Sequence, residues 1–272
     1  MTVISTVITM AGTVHATDSF LTKVNANGQR EPIETQETKI IPVRAWRGAM
    51  SYYGLAQVEG HWSALDWLRA QAAQAGNFGT AEEFANALAV ALNHEISRLP
   101  LPRDVDKGIG IHFSAYEWIG GYWIPEMFHI SNWGDTTYSS LRSTGVGASR
   151  DMSGGISSQI LGQGDTLEAR RRLVHQAILG GMLVRYNNGD PTLYNPVANA
   201  IHDMFEVLNR RRILRKLNDI EVLRSLARRP VEVVASVQQD FCAPGMRVVG
   251  GRIHDLAITP TGVYSSTSSD NA

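Results

Sequence analysis

β-Branched apolar residues dominate the start of the chain. Val3, Ile4, Val7 and Ile8 flank Ser5 and Thr6, the chain turns at Ala11-Gly12, and a run that alternates polar and apolar residues covers 13–17. This pattern is typical of strands and predicts a β-hairpin. Two further strands are predicted at 38–43 and 51–56, after an extended loop over 24–38.

Past residue 54 the apolar period lengthens from two to about 3.6, which predicts two antiparallel helices. The first helix covers 61–75. The second helix begins at a capping box formed by Thr80 and Glu83, and it ends at Pro100. The first part of the chain is therefore predicted to contain four strands followed by two helices.

The second half is predicted to contain a hairpin, a long loop, three helices and a strand. The hairpin covers 108–118 and 122–131, and the loop covers 131–158 with a short strand at 136–141. The helices cover 165–186, 196–217 and 219–240, and the strand covers 246–259. The polar tail over 265–272 is predicted to be disordered. Residues 1–264 are thus expected to form one domain.

Composition narrows the class of function. The 272 residues, 43% of them hydrophobic, are sufficient for a large domain with a full core. The net charge of −1 gives no electrostatic basis for binding nucleic acid or a membrane surface. No apolar run reaches the roughly 18 residues of a spanning helix, and the start lacks a basic signal region. We expect a cytoplasmic protein without cofactor or metal.

The first eighteen residues carry the candidate chemistry. Removal of Met1 would leave Thr2 as an N-terminal threonine, which combines a nucleophilic hydroxyl with an α-amine. Such an amine titrates near pH ~8, so a neutral fraction can serve as the base. The return strand of the hairpin brings Asp18 back towards Thr2. The pattern predicts an N-terminal nucleophile with an acid beside it.

The spacing Thr2-(x)15-Asp18, followed by Lys39 at the third strand and Gly54 at the end of the fourth, resembles the proteasome β-type N-terminal-nucleophile hydrolases. The likeness covers residues 2–60, and beyond them only the order of elements matches. The bacterial relatives HslV, Anbu and the β-proteobacterial proteasome homologue are the most similar in kind. The resemblance implies an α+β fold, a four-layer αββα sandwich with residue 2 between two packed sheets.

The resemblance also implies a mechanism. Thr2 would attack an amide carbonyl and form an acyl-enzyme, while Lys39, paired with Asp18, lowers the pKa of the hydroxyl. The N–H of Gly54, or of Gly48 if the strand register slips, would stabilise the oxyanion. The family works as self-assembled rings, so a homo-oligomer that cleaves peptide or protein substrates is implied. An ATP-dependent unfoldase partner is left open.

Three positions depart from the family pattern. Gln163 stands where the family has a serine between two glycines, and Met246 and Val249 replace an aspartate and a serine before the last strand. In the family these residues support the nucleophile and orient its amine. A small-molecule amidase of the same superfamily and a non-catalytic ring component therefore stay open as alternatives. A binding domain without N-terminal chemistry is the third.

Overall fold

Two β-sheets and three complete α-helices make up the part of the chain that the structure describes. In this computed structural model that part consists of residues 3–35, 37–101, 108–132, 147–150, 183–188, 219–243 and 247–269, with isolated helical positions between 175 and 207. The mixture of sheets and helices is compatible with the predicted α+β class. No helix in these ranges is long and apolar enough to cross a membrane.

The first sheet has five strands. They are β1 (Ile4–Thr9), β2 (Gly12–Asp18), β11 (Val184–Asn188), β12 (Ile253–Ile258) and β13 (Tyr264–Ser269). Their order is β11-β1-β2-β12-β13, and every neighbouring pair is antiparallel. The amino-terminal hairpin of β1 and β2 therefore lies at the centre of this sheet.

The second sheet has eight strands. They are β3 (Phe20–Val24), β4 (Arg30–Glu34), β5 (Ile40–Val43), β6 (Gly48–Val58), β7 (Trp62–Ser63), β8 (Ile109–Ile119), β9 (Tyr122–Ser131) and β10 (Gly147–Arg150). The main path is β10-β9-β8-β6-β3-β4, and β5 and β7 also pair with β6. β3 runs parallel to β6. Strand β6 therefore connects most of this sheet.

The helices begin at well-formed caps. They are α1 (Ala64–Gln74), α2 (Ala81–Arg98) and α3 (Ile220–Phe241). Ser63 caps α1 by accepting the N–H of Asp66, and α2 starts at the predicted capping box of Thr80 and Glu83. Asp219 caps α3. Each cap satisfies backbone N–H groups that have no partner within the helix.

Alternation along the strands gives each sheet an apolar face and a second, more polar face. On β1 and β2, apolar side chains such as Val7 and Val14 pack with α3, while side chains such as Thr6 and His15 face the second sheet. On β6 and β8, Phe113 and its apolar neighbours pack with α1 and α2. The polar faces of the two sheets hydrogen-bond to each other.

Both predicted hairpins form. The first joins Ile4 to Thr17, and the second turns at Gly120-Gly121. The prediction of an extended loop over 24–38 is wrong, because this segment contains β4, which pairs with β3. Lys39 therefore precedes the fifth strand and not the third. Gly54 lies inside β6 instead of closing a strand.

Three predictions in the second half were wrong. The helix over 165–186 does not extend to its predicted end, because its last three residues belong to β11. Residues 147–150 of the predicted loop form β10. The tail over 265–272 is not disordered throughout, because Tyr264–Ser269 pair with β12 as β13. This strand extends the first sheet past residue 264.

Candidate functional site

Asp18 and Lys39 form a buried ion pair, as the sequence predicts. Asp18 ends β2 in the first sheet, and Lys39 immediately precedes β5 in the second. Both residues are 0% exposed. The ammonium of Lys39 donates to Asp18 Oδ1 at 2.8 Å and also to the carbonyl of Phe20. The pair therefore joins the two sheets at one end.

The carboxylate of Asp18 also accepts two backbone N–H groups. Val3 donates to Oδ1 and Gly250 donates to Oδ2, each at 3.2 Å. Val3 directly follows Thr2, so the carboxylate lies one peptide unit from the predicted nucleophile. Thr2 itself lies outside the described residues. Three donors therefore satisfy this one buried carboxylate.

The electrostatic state of Lys39 reflects two opposing effects. Burial lowers the pKa of Lys39, because removing an ammonium from water favours its neutral form. The charge of Asp18 and its hydrogen bond oppose that shift. The lowered pKa brings the ammonium closer to the range in which it can exchange a proton, while the neighbouring carboxylate favours the charged form.

Gly250 and Gly251 form a turn that packs on Asp18 and Ser19. Ser19 donates its N–H to the carbonyl of Gly250 at 3.2 Å, and its hydroxyl accepts the N–H of Arg252 at 2.8 Å. Gly251 has φ +68°, and a Cβ there would lie 2.2 Å from Ser19 Oγ. A side chain at Gly251 is thus excluded both by conformation and by space.

Of the three positions that depart from the family pattern, one is described. Val249 is 1% exposed and packs in the apolar cluster under α3, and its N–H donates to Gln238 Oε1 at 2.9 Å. It has no polar side-chain atom to offer the site. Gln163 and Met246 lie outside the described residues.

Gly54 and Gly48 occupy different places on β6. Gly54 has φ +91° and lies opposite Ile109 of β8. No hydrogen bond in the described part of the chain joins Gly54 to Asp18 or Lys39. At Gly48 a Cβ would lie 1.9 Å from the carbonyl oxygen of Ser114, so glycine is required there for close strand packing.

Sequence reasoning missed a buried network of two histidines between the sheets. Thr6 Oγ1 lies 3.0 Å from His112 Nδ1 and 3.3 Å from His15 Nδ1. The remaining contacts are His15 Nδ1 to Ser51 Oγ at 2.9 Å, His15 Nε2 to Ser114 Oγ at 2.7 Å, and His112 Nε2 to Asn188 Oδ1 at 2.6 Å. Its members come from five strands and both sheets.

The contacts of His112 indicate which of its two ring nitrogens carries the proton. His112 Nε2 faces the amide oxygen of Asn188 and must donate, so its Nδ1 accepts the hydroxyl proton of Thr6. All three partners of His15 are hydroxyls, which can donate or accept, so either neutral tautomer can satisfy both of its ring nitrogens. Both imidazoles are neutral. Burial lowers the pKa of His15 to about 3 and that of His112 well below its ordinary value.

A third histidine lies on the other side of Asp18. His254 of β12 is 8% exposed and pairs with Thr17, the residue before Asp18. Burial lowers its pKa, followed by the positive charge of Lys39. His254 Nε2 and Thr17 Oγ1 are buried and have no hydrogen-bond partner among the described residues. Burial and the charge of Lys39 thus both favour the neutral form of His254.

One signal for these polar groups was present in the sequence. Thr13, His15 and Thr17 recur with period two in a strand whose intervening residues are apolar. Polar residues on one face of a strand indicate either a solvated face or a buried polar face. Because all three are fully buried, the second reading is correct. The partners of Thr13 and His15 in the second sheet lie 36 to 103 positions away in the sequence.

Comparisons with known proteins leave this site to be interpreted by its own geometry. No protein-family model matches the chain, and no curated protein sequence matches it. Within the described ranges, no group of three or more His, Cys, Asp or Glu side chains is arranged to hold a metal ion. The buried pair of Asp18 and Lys39 is the arrangement best suited to take part in a chemical reaction.

Proposed function

We propose that this protein is an N-terminal-threonine hydrolase of the proteasome type, with Thr2 as its nucleophile. One observation carries the proposal. The buried carboxylate of Asp18 accepts the N–H of Val3 at 3.2 Å and the ammonium of Lys39 at 2.8 Å. Because residue 2 is bonded to Val3, a positive charge and its counter-ion lie close to the proposed nucleophile. A charge at this place favours ionisation of a neighbouring hydroxyl.

The proposed reaction passes through an acyl-enzyme. The Oγ of Thr2 bonds to an amide carbonyl carbon, and the α-amine of the same residue takes the hydroxyl proton. The C–N bond then breaks, and the leaving amine receives that proton. A water molecule attacks the resulting ester, the α-amine again transfers the proton, and the threonine hydroxyl is restored.

The proposed role of Lys39 is electrostatic. Its ammonium lies between Asp18 Oδ1 and the carbonyl of Phe20, so its position is fixed by two acceptors. From there it stabilises negative charge that develops on the threonine oxygen. In a buried site this interaction is much stronger than in water. Asp18 favours the charged form of Lys39 and anchors the start of β1.

The pairing of β6 supports the N–H of Gly54 as the oxyanion donor. The neighbouring N–H of Leu55 faces β8, where it donates to the carbonyl of Gly108 at 2.8 Å. Successive N–H groups alternate in a strand, so we expect that of Gly54 to face away from β8. On the side of β6 that faces away from β8, β5 pairs with β6 as far as Ser51, and β3 pairs with β6 from Leu55 onwards. Gly54 lies in the interval between these two pairings, and Lys39, which directly precedes β5, borders that interval.

The packing also supports the proposed four-layer αββα sandwich. Helices α1 and α2 cover the apolar face of one sheet, and α3 covers that of the other. The remaining faces are joined by Thr6, His15 and their hydrogen-bond partners. In this proposal the order of layers is helices, second sheet, first sheet, helix. Assembly into a ring, peptide substrates and an unfoldase partner stay predictions from the resemblance.

Val249 favours a second candidate, a non-catalytic ring component. The family has a serine at this position that helps to orient the terminal amine, and Val249 has no polar side-chain atom. Val249 is buried in the apolar cluster under α3. The two candidates differ in one measurable property, the reactivity of Thr2.

Intact mass spectrometry with a threonine-directed β-lactone tests the proposal. We expect loss of Met1 and a single adduct, which peptide mapping places on Thr2. Thr2→Ala should abolish the adduct, whereas Ser5→Ala removes another hydroxyl of the same segment and should retain it. A processed Thr2 that does not react would favour the non-catalytic candidate. Retention of Met1, or any segment before Thr2 in the mature protein, would contradict both the mechanism and the role of the amine.

A further inference from the structure

The proposed nucleophile and its proposed oxyanion donor belong to different sheets. Residue 2 precedes β1 of the first sheet, and Gly54 lies in β6 of the second. Their separation therefore depends on how closely the two sheets are held. Acyl transfer is sensitive to such distances, since displacements of about 1 Å can slow catalysis by about 10²-fold.

Thr6 lies at the point where the first of these strands is bound to the other sheet. Its hydroxyl lies 3.0 Å from His112 Nδ1 of β8 and 3.3 Å from His15 Nδ1, and His15 Nδ1 is hydrogen-bonded to Ser51 of β6 at 2.9 Å. Thr6 is four positions from residue 2, and Ser51 is three positions from Gly54. The network thus connects the two strands close to the proposed site.

The network also reaches the strand on the other side of β1. His112 Nε2 donates to Asn188 Oδ1 at 2.6 Å, and Asn188 pairs with Ile4 at the start of β1. The beginning of β1 is therefore held by Asp18 on the β2 side and by the His112–Asn188 contact on the β11 side. Every polar atom of the two imidazoles is engaged in this arrangement.

We infer that the network formed by Thr6, His15 and His112 positions the N-terminal nucleophile against the oxyanion-binding strand. This inference rests on the proposed function and adds positioning residues to it. None of these three residues contacts the reacting atoms in the proposed mechanism. They act by fixing β1 relative to β6, so their loss lowers the rate of acylation and leaves affinity for the reagent unchanged.

Matched variants at two threonines test the inference. Thr6→Val keeps the side-chain shape and removes the hydroxyl, while Thr6→Ser keeps the hydroxyl. Thr13→Val removes a second buried hydroxyl between the sheets, which contacts Tyr116 at 3.2 Å near the far end of the hairpin. The first measurement is the rate of β-lactone labelling at several reagent concentrations, which separates the maximal rate from the half-saturating concentration.

We expect Thr6→Val to lower the maximal labelling rate by about 10- to 100-fold, with the half-saturating concentration within about twofold of wild type. Thr6→Ser and Thr13→Val should stay within about threefold of wild type in both quantities. The inference is overturned if Thr6→Val labels at the wild-type rate. It is also overturned if Thr13→Val is equally slow, since the effect then reflects general loss of stability.

Amide hydrogen exchange separates this inference from the proposed function. In Thr6→Val we expect the amides of residues 3–5 to exchange about tenfold faster than in Thr13→Val, compared at equal global stability. If wild type gives no adduct, the proposed function fails and the exchange data alone decide whether the network fixes β1. Equal exchange in the two variants would show that it does not.

Discussion

Lowering the pH should destabilise this protein through the buried histidines between its sheets. His15 is fully buried, and burial lowers its pKa from 6.5 to about 3. Above pH 6.5 the imidazole is neutral in both the folded and the unfolded chain, so it does not affect stability there. Below pH 6.5 the unfolded chain binds a proton that the folded chain does not, and stability falls until the pH approaches 3.

The size of the effect follows from the difference in pKa. Each pH unit below the unfolded value costs about 1.4 kcal/mol per group, so His15 should account for a loss of about 2 kcal/mol between about pH 7 and about pH 5. The pKa of His112 is also lowered, first by burial and then by the neighbouring His129, so its contribution has the same sign. A loss of this size is a large fraction of the 5–15 kcal/mol typical of a domain.

Urea denaturation at the two pH values, in wild type and in His15→Gln, measures this contribution. The glutamine cannot titrate and retains a group that can bond Ser114. Its free energy of unfolding should therefore fall by about 2 kcal/mol less than that of wild type over the same interval. His61 is exposed, so His61→Gln is the control and should leave the pH dependence unchanged. An unaltered pH dependence in His15→Gln would refute the reasoning, because carboxylates titrate equally in both proteins.

Two further predictions concern the candidate site. Lys39→Met leaves Asp18 buried without its cation and should lower the free energy of unfolding in urea by about 3–5 kcal/mol. Lys23→Met breaks only the solvated pair with Glu59 and should shift the urea midpoint little. Similar shifts in the two variants would contradict a special role of the buried pair. Gly251→Ala should slow β-lactone labelling more than Gly60→Ala, because the two glycines have φ +68° and +70° but only at Gly251 would the Cβ meet Ser19. Equal labelling rates would show that the turn does not support Asp18.

Local features of the fold could be predicted from the sequence more fully than contacts between distant residues. The amino-terminal hairpin places Asp18 beside Val3, because the register of a two-strand unit follows from the turn and the alternation alone. The capping box of Thr80 and Glu83 is equally local. Lys39 was predicted from its place in a motif and not from geometry, and the structure brings it to Asp18 from the other sheet.

The missed strands have in common that their stability comes from their neighbours. β4 has the sequence Arg-Glu-Pro-Ile-Glu, which lacks apolar alternation and includes a proline, and it lies at the edge of its sheet beside β3. β13 is rich in serine and reads as a disordered tail. It is held by pairing with β12 and by Arg224 of α3, which donates to the carbonyl of Ser265 at 2.7 Å. Neither contact can be inferred from the strand itself.

The placement of charge is the strongest argument that the site is more than a structural contact. The chain has a second buried ion pair, in which Arg224 and Arg228 bind Asp255 and connect α3 to the first sheet. That pair has an evident structural role, since it attaches a helix and an edge strand. The pair of Lys39 and Asp18 instead lies at the open end of the hairpin, where its carboxylate holds Val3. Apolar residues of similar volume would connect the sheets there at least as well, because burying two charges often costs more than their attraction returns. Stability alone therefore gives no reason for a lysine at this place, whereas the proposed nucleophile at residue 2 would give one.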